Sequence, residues 1–256
     1  MSSQFISEIV VPDVIAPLEI AHGGRVLGNM DARFGDEADV LENRQRLYRT
    51  LGLQLHQVAV MRPANDGQTM VDLGVRKEFD IPTAGDFFTD AFITSESETG
   101  LAMNPADCNV IALSDGQTLI TVHAGWRGAV ENIASRVIEH ASNTYGFEPS
   151  MAQAYFAPAI GQESYVSSEL HPLQTGEAWE QFVQPVDLED GQAFKIDLPG
   201  YLAESLVSND IPRDKITLPS VDTGVDDSHF SYTRFQQDPQ RSPNGRNGFV
   251  AVHKQS

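Results

Sequence analysis

Apolar runs bounded by turn-forming residues recur along the chain. They predict strands at QLHQVAVMR (54–62), DAFIT (90–94), CNVIALS (108–114), TLITVHA (118–124), MAQAYFAP (151–158), KITLPSV (215–221) and GFVAVHK (248–254). Between some of them the period lengthens to that of a helix. In DEADVLENRQRLYRTLGL (36–53), Val40, Leu47, Tyr48 and Leu51 form one stripe that Gly52 closes, and Arg44 lies on the same stripe. AVENIASRVIEHASNTYG (129–146) puts Val130, Ile133, Val137, Ile138 and Ala141 on one face. DLPGYLAESLV (197–207) starts a third helix, with Pro199 in its first turn. Strands and helices mingle without a regular βαβ alternation, which predicts a mixed α/β (α+β) fold, mixed sheets flanked by helices, rather than a doubly wound sheet. No repeat, low-complexity tract or linker divides the chain, so residues 1–256 read as a single domain. The polar stretch FQQDPQRSPNGRNG (235–248) reads as a mobile surface loop.

The turn between the third and fourth strands bears on chemistry. Asp115-Gly116 favours a two-residue type I′ turn, because both central positions take positive φ. That turn sets Ser114 opposite Gln117, Val110 opposite Thr121, and Cys108 opposite His123 on one face. A thiol and an imidazole would then stand within reach of each other or of a shared metal ion. The same pair is also what a buried thiol beside a satisfied core histidine looks like. AGWRG follows, with Gly125 and Gly128 leading from strand to helix and Arg127 between them, an arrangement suited to a phosphate, a carboxylate or a developing oxyanion. Arg44 gives a second hint, since a guanidinium on an apolar stripe needs an internal carboxylate or an anionic ligand.

Composition narrows the partners. With 17 Lys and Arg against 36 Asp and Glu the formal charge is −19, which disfavours nucleic acid and anionic lipid. The lysines are Lys77, Lys195, Lys215 and Lys254, so an anionic substrate would be held by arginine. The single cysteine fits a reducing compartment, and neither a signal-type start nor a membrane-length apolar run is present. The expectation is a cytoplasmic protein without a membrane span.

ADC (106–108) followed by VHAGWRG (122–128) resembles the laccase-domain family, also described as multicopper polyphenol oxidoreductase-like proteins and as purine nucleoside phosphorylases of the peptidoglycan-editing-factor type. GDEADVLENRQRL (35–47), DAFIT, APAIGQESYVSSEL (157–170), FSYTR (230–234) and NGR (244–246) resemble further family segments in the family's order, from about residue 20 to the end. The resemblance implies that family's single-domain fold and a cytosolic enzyme cleaving adenosine, inosine or methylthioadenosine with inorganic phosphate, with adenosine deamination as a further activity. It also implies zinc or copper binding and phenol oxidation for some members, and proofreading of cell-wall precursors for others. The family's catalytic or metal set is two histidines and a cysteine. Cys108 and His123 match two of these, whereas the Gln-Val-His motif that supplies the first reads Gln57-Val58-Ala59 here. His56 and His229 are the alternatives for a third ligand. Asn109 after the cysteine, Thr233 in place of an arginine, and VDTGV (221–225) where the family has a Cys-Thr are further departures.

These residues support three readings. In the first, Cys108 and His123 are catalytic in a nucleoside phosphorylase, His123 as acid/base, Arg44 and Arg127 clamping phosphate, with Gly125, Ser231 and Arg246 also binding substrate. In the second, Cys108 is the nucleophile of a hydrolase or amidase. In the third, the chain is a non-catalytic nucleotide-binding relative that has lost a metal-ligand histidine.

Overall fold

The computed structural model describes residues 9–80, 87–188 and 191–255. Two six-stranded mixed sheets lie face to face. The first runs Ile9–Val10, Leu18–Gly23, Gly248–His253, Gly100–Met103, Val58–Pro63, Phe87–Thr89 across its width. The second runs Ile216–Thr217, Gln153–Phe156, Asn109–Ser114, Leu119–Ala124, Ala91–Thr94, Met70–Asp72. A three-stranded sheet of Val166–Ser167, Gly191–Ile196 and Val183–Leu188 stands apart.

The order of layers explains why the central strands are apolar throughout instead of alternating. Successive residues of a strand point to opposite faces, and here both faces are covered. In Gly248–His253, Val250 and Val252 pack with Leu47 and Tyr48 of helix α1 (Glu37–Arg49), while Phe249 and Ala251 meet Val110, Ala112 and Leu119 of the other sheet. In Asn109–Ser114, Ile111 and Leu113 turn the other way, to α3 (Ile133–Tyr145) and α4 (Leu198–Ser208). The molecule is therefore layered helix, sheet, sheet, helices.

The stripe on α1 is buried as its spacing predicts, Arg44 included, and Gly52 takes the left-handed φ of +70° just past the helix end. The helix predicted over 129–146 is two helices, α2 (Trp126–Val130) and α3, because Asn132 adopts φ 55° and breaks the ladder between them. QLHQ is not strand: Leu55–Gln57 is a 3₁₀ turn that precedes Val58–Pro63. The loop reading of 235–248 also needs correction. Phe235–Gln237 close helix α5 (Tyr232–Gln237), and Asn247 is buried with its amide holding both the N–H and the carbonyl of Phe230.

The hairpin differs most instructively. Val110 pairs with His123, Ala112 with Thr121 and Ser114 with Leu119, two residues out of register from the expected two-residue turn. The connection is four residues long because Asp115 folds it as an Asx turn, its Oδ1 accepting from the N–H groups of Gln117 and Thr118 at 2.9 and 2.8 Å. A slip of two preserves the face. Cys108 thus stays on His123's side of the sheet, opposite Gly125.

Candidate active site

At one end of the layer between the two sheets lies a cavity of about 500 Å³. Cys108, directly before its strand, and His123, at the end of the neighbouring one, both line it. Gly125 leaves room beside the thiol, since a Cβ there would stand 3.2 Å from the Cys108 sulfur and crowd it. His123 lines the cavity beside Cys108 and is hydrogen-bonded through Nδ1 to Asp90 Oδ1 at 2.9 Å. Burial alone would pull this imidazole down; hydrogen bonding and charge from Asp90 and Cys108 outweigh it and push the pKa up to about 9. Its surroundings thus favour the protonated ring.

Asp90 organises more than the ring. Its carboxylate, 1% exposed, accepts from the backbone N–H of Asn65 at 3.0 Å, of Asp66 at 2.9 Å and of Gly67 at 3.0 Å, while its carbonyl accepts from His123 N at 2.8 Å. The loop it holds forms one wall and presents Asn65, at φ 58°, to the cavity. Gly67 lets this loop lie against α2, since a Cβ on it would come within 2.8 Å of the Gly128 Cα. A second buried carboxylate, Asp107, stands on the other side of Cys108. It adopts φ 79° and accepts from Thr223 Oγ1, Ser231 Oγ and Thr233 N at 2.7, 3.1 and 2.7 Å. Left-handed backbone at an Asp beside the cavity's thiol is the kind of strain found where a side chain must be aimed.

Three guanidiniums line the cavity: Arg33, Arg127 and Arg246. Asp31 holds Arg33 in a bidentate pair. Arg127 stacks over the Trp126 ring at 4.5 Å, and Arg246 over the Phe34 ring at 3.9 Å. Burial lowers the Arg246 pKa, Asp31, Cys108 and Asp107 pull it back, and no salt-bridge carboxylate is found for it among the described residues. An arginine so placed has donors to offer an incoming anion.

Other expected site residues stand elsewhere. Arg44 is 1% exposed and does not line the cavity; its Nε donates to the Met30 carbonyl at 2.9 Å. With the Asn104 amide turned to satisfy its neighbours, the Asn104 oxygen accepts from Arg44 at 3.2 Å, so Arg44 backs a cavity residue. Ser231 caps α5 and donates to Asp107; Tyr232 and Thr233 of the same string reach the cavity. His56 sits in the 3₁₀ turn before its strand, and His229 is engaged by Asp226 at 3.1 Å and Ser228 at 3.0 Å. Neither lines the cavity.

The residues present do not fit a metal ion. Among the described residues no group of three or more His, Cys, Asp or Glu is placed to hold one. Asp90 is at the Nδ1 edge of His123 and cannot share an ion with Cys108 at the other. Ala59 is not the empty corner it was expected to be. It pairs with Leu101, is 0% exposed in the inter-sheet core, and is about 13 Å along the strand from Pro63, the first residue of that strand to line the cavity. The loop residue that lines the same cavity as the Cys/His pair is Asn65. Elemental analysis is expected to find stoichiometric zinc in Asn65→His, since histidine tolerates left-handed φ and would add a third ligand. Ala59→His is expected to gain no metal and to lose about 1–3 kcal/mol of stability by overpacking.

Two stacked mixed sheets with a cavity lined by thiol, imidazole and guanidinium groups define an α/β protein with a small-molecule pocket. The family model described as multi-copper polyphenol oxidoreductase laccase matches residues 27–252, and the chain belongs to that family. It is similar to a purine nucleoside phosphorylase of Xylella fastidiosa, 33% identical over 150 residues, 54% of this chain and 52% of that protein. It is also similar to adenosine deaminase RL5 of an unknown prokaryotic organism, 32% identical over 136 residues, 51% and 52% of the two chains. The matched stretch thus spans about half the length of these curated relatives. In fold it is similar to YlmD from Geobacillus stearothermophilus (TM-score 0.73, 22% identity, 97% and 93% of the two chains covered) and to Bacillus licheniformis YfiH (TM-score 0.75, 21% identity, 93% of each). Among the described residues, no helix is long and apolar enough to cross a membrane.

Proposed function

We propose that the protein is a purine nucleoside phosphorylase that cleaves adenosine, inosine or methylthioadenosine with inorganic phosphate, and that the cavity beside Cys108 and His123 is its active site. The reading is supported most by one observation: an imidazole bonded through Nδ1 to the buried Asp90 carboxylate lines a cavity that also carries arginine. Phosphorolysis needs both parts. A phosphate oxygen forms a bond to C1′ of the sugar, the glycosidic bond breaks, and its electron pair leaves with the base. His123 supplies the proton that lets the base depart neutral. We assign the phosphate to Arg246 with Arg127, in place of the Arg44 and Arg127 pair, because Arg44 lies behind the cavity lining. Relatives named purine nucleoside phosphorylase support the substrate class, and the one named adenosine deaminase supports deamination as a second activity on the same nucleoside.

The test is product identity. With inosine and phosphate, ³¹P NMR is expected to show ribose 1-phosphate forming in step with free base. Base release at the same rate without phosphate, giving ribose, would refute phosphorolysis. A second reading, a cysteine hydrolase or amidase, is favoured by the continuous order Cys108, His123, Asp90, the arrangement of an activated nucleophile. It predicts a covalent acyl adduct on Cys108 detectable by mass spectrometry after mixing with an activated ester or amide.

A further inference from the structure

We infer that Asp90 is the positioning residue of this site: its carboxylate fixes which nitrogen of His123 faces Cys108 and the cavity, and the same two oxygens lock the loop that forms the opposing wall. The inference rests on His123 being the proton donor proposed above. Both Asp90 oxygens already accept backbone N–H groups, Oδ1 from Asn65 and Oδ2 from Asp66 and Gly67, so the group facing His123 is an acceptor and Nδ1 is the donor. The ring is left with Nε2 toward the thiol and the cavity. The backbone bond from His123 N to the Asp90 carbonyl at 2.8 Å, the burial of both side chains, and the tie between Gln68 and Glu131 of the segment after α2 prevent the ring and the wall from moving independently. An amide cannot replace this carboxylate. Whichever way the side chain of an Asp90→Asn variant turned, its NH₂ would face either the donors of Asp66 and Gly67 or the ring, and one of those contacts would be lost.

The experiment compares Asp90→Asn and Asp90→Glu with Asp66→Ala, which removes side-chain ties to Gln68 and Thr69 within the loop but keeps the backbone N–H on Asp90 and leaves the imidazole untouched. For Asp90→Asn, kcat for base release is expected to fall about 10²-fold, with the KM for phosphate within about threefold of wild type because the arginines are untouched. Asp90→Glu is expected to recover part of kcat, and Asp66→Ala to stay within about threefold in both parameters. Alkylation of Cys108 by iodoacetamide at pH 7 reads the same geometry without any nucleoside; it is expected to slow about tenfold or more in Asp90→Asn, so the inference can hold even if the nucleoside reading fails. Wild-type ¹⁵N NMR of His123 above its pKa, where the ring is neutral, decides the matter should Asp90→Asn not fold, with the Nδ1–H tautomer expected. A deprotonated Nδ1, or an Asp90→Asn protein with wild-type kcat and wild-type alkylation, overturns the inference.

Discussion

Lowering the pH from 6.5 to 4 is expected to remove about 5 kcal/mol of folding stability, read as a fall in the urea midpoint. Two buried imidazoles cause it. His22, hydrogen-bonded to the Tyr155 hydroxyl at 3.0 Å, is held by burial, and secondarily by His229, at a pKa of about 4. His253, bonded to Ser114 Oγ at 2.7 Å, is likewise held by burial at about 4, with Asp115 opposing. In the unfolded chain both titrate near 6.5. Between these values the unfolded state binds protons that the folded state refuses, so stability falls on acidification, by about 2.5 kcal/mol per imidazole. His123 acts in the opposite direction. Its folded pKa of about 9 exceeds the unfolded value, so its contribution is complete below pH 6.5 and is lost as the pH rises toward 9. Stability should therefore peak near pH 6.5. The double variant His22→Gln, His253→Gln keeps a group able to bond Tyr155 and Ser114 but carries no titratable ring at either site, and its acid limb should be much shallower, keeping only the smaller loss from the carboxylates of Asp66, Asp72, Glu98 and Asp226, which the fold holds low. An acid limb as steep as wild type would assign the loss to other groups.

Replacing His123 with alanine is expected to lower phosphate-dependent base release about 10³-fold while the protein stays folded. The expectation follows from the role given to the ring. Loss of a proton donor at the departing base lowers kcat, whereas Arg246 and Arg127 continue to hold phosphate and its KM changes little. Removing His123 also leaves the Asp90 carboxylate with its three backbone donors, so the wall of the cavity should survive. A variant in which KM rises and kcat is unchanged would make His123 a binding residue. Such a result would move the proton donor to another group, and Tyr165, which lines the cavity with its hydroxyl raised to about 12 mainly by burial, is the next one to test.

Much of this site was legible in the chain and part was not, for physical reasons. The stripe on α1 and the apolar strands follow from period, a local property, and the face shared by Cys108 and His123 survived a wrong register because a two-residue slip does not change faces. The slip itself came from reading Asp115-Gly116 by its dipeptide preference, when the Asp115 side chain captures the next turn instead. Asp90 was visible only as the first letter of DAFIT, and nothing within those residues says that its carboxylate reaches back to residues 65–67 and across to 123. Arg33, Asn65 and Trp126 come to the cavity from segments far apart in sequence. Arg44 was noticed for a sound reason, a charge on an apolar stripe, but its needs are met within the structure by the Met30 carbonyl and Asn104. Ala59 was chosen by matching a motif along the strand, and the strand's own geometry places it deep in the inter-sheet core.

Because Cys108 is the sole cysteine, a single label addresses the cavity and nothing else. Turnover of inosine and phosphate by protein carboxamidomethylated at Cys108 is therefore the most direct test that this cavity does the work. Activity is expected to disappear in proportion to labelling, and inosine with phosphate to protect the thiol at concentrations near their KM. Fully labelled protein that still releases base at the unlabelled rate would contradict the assignment of the active site to this cavity.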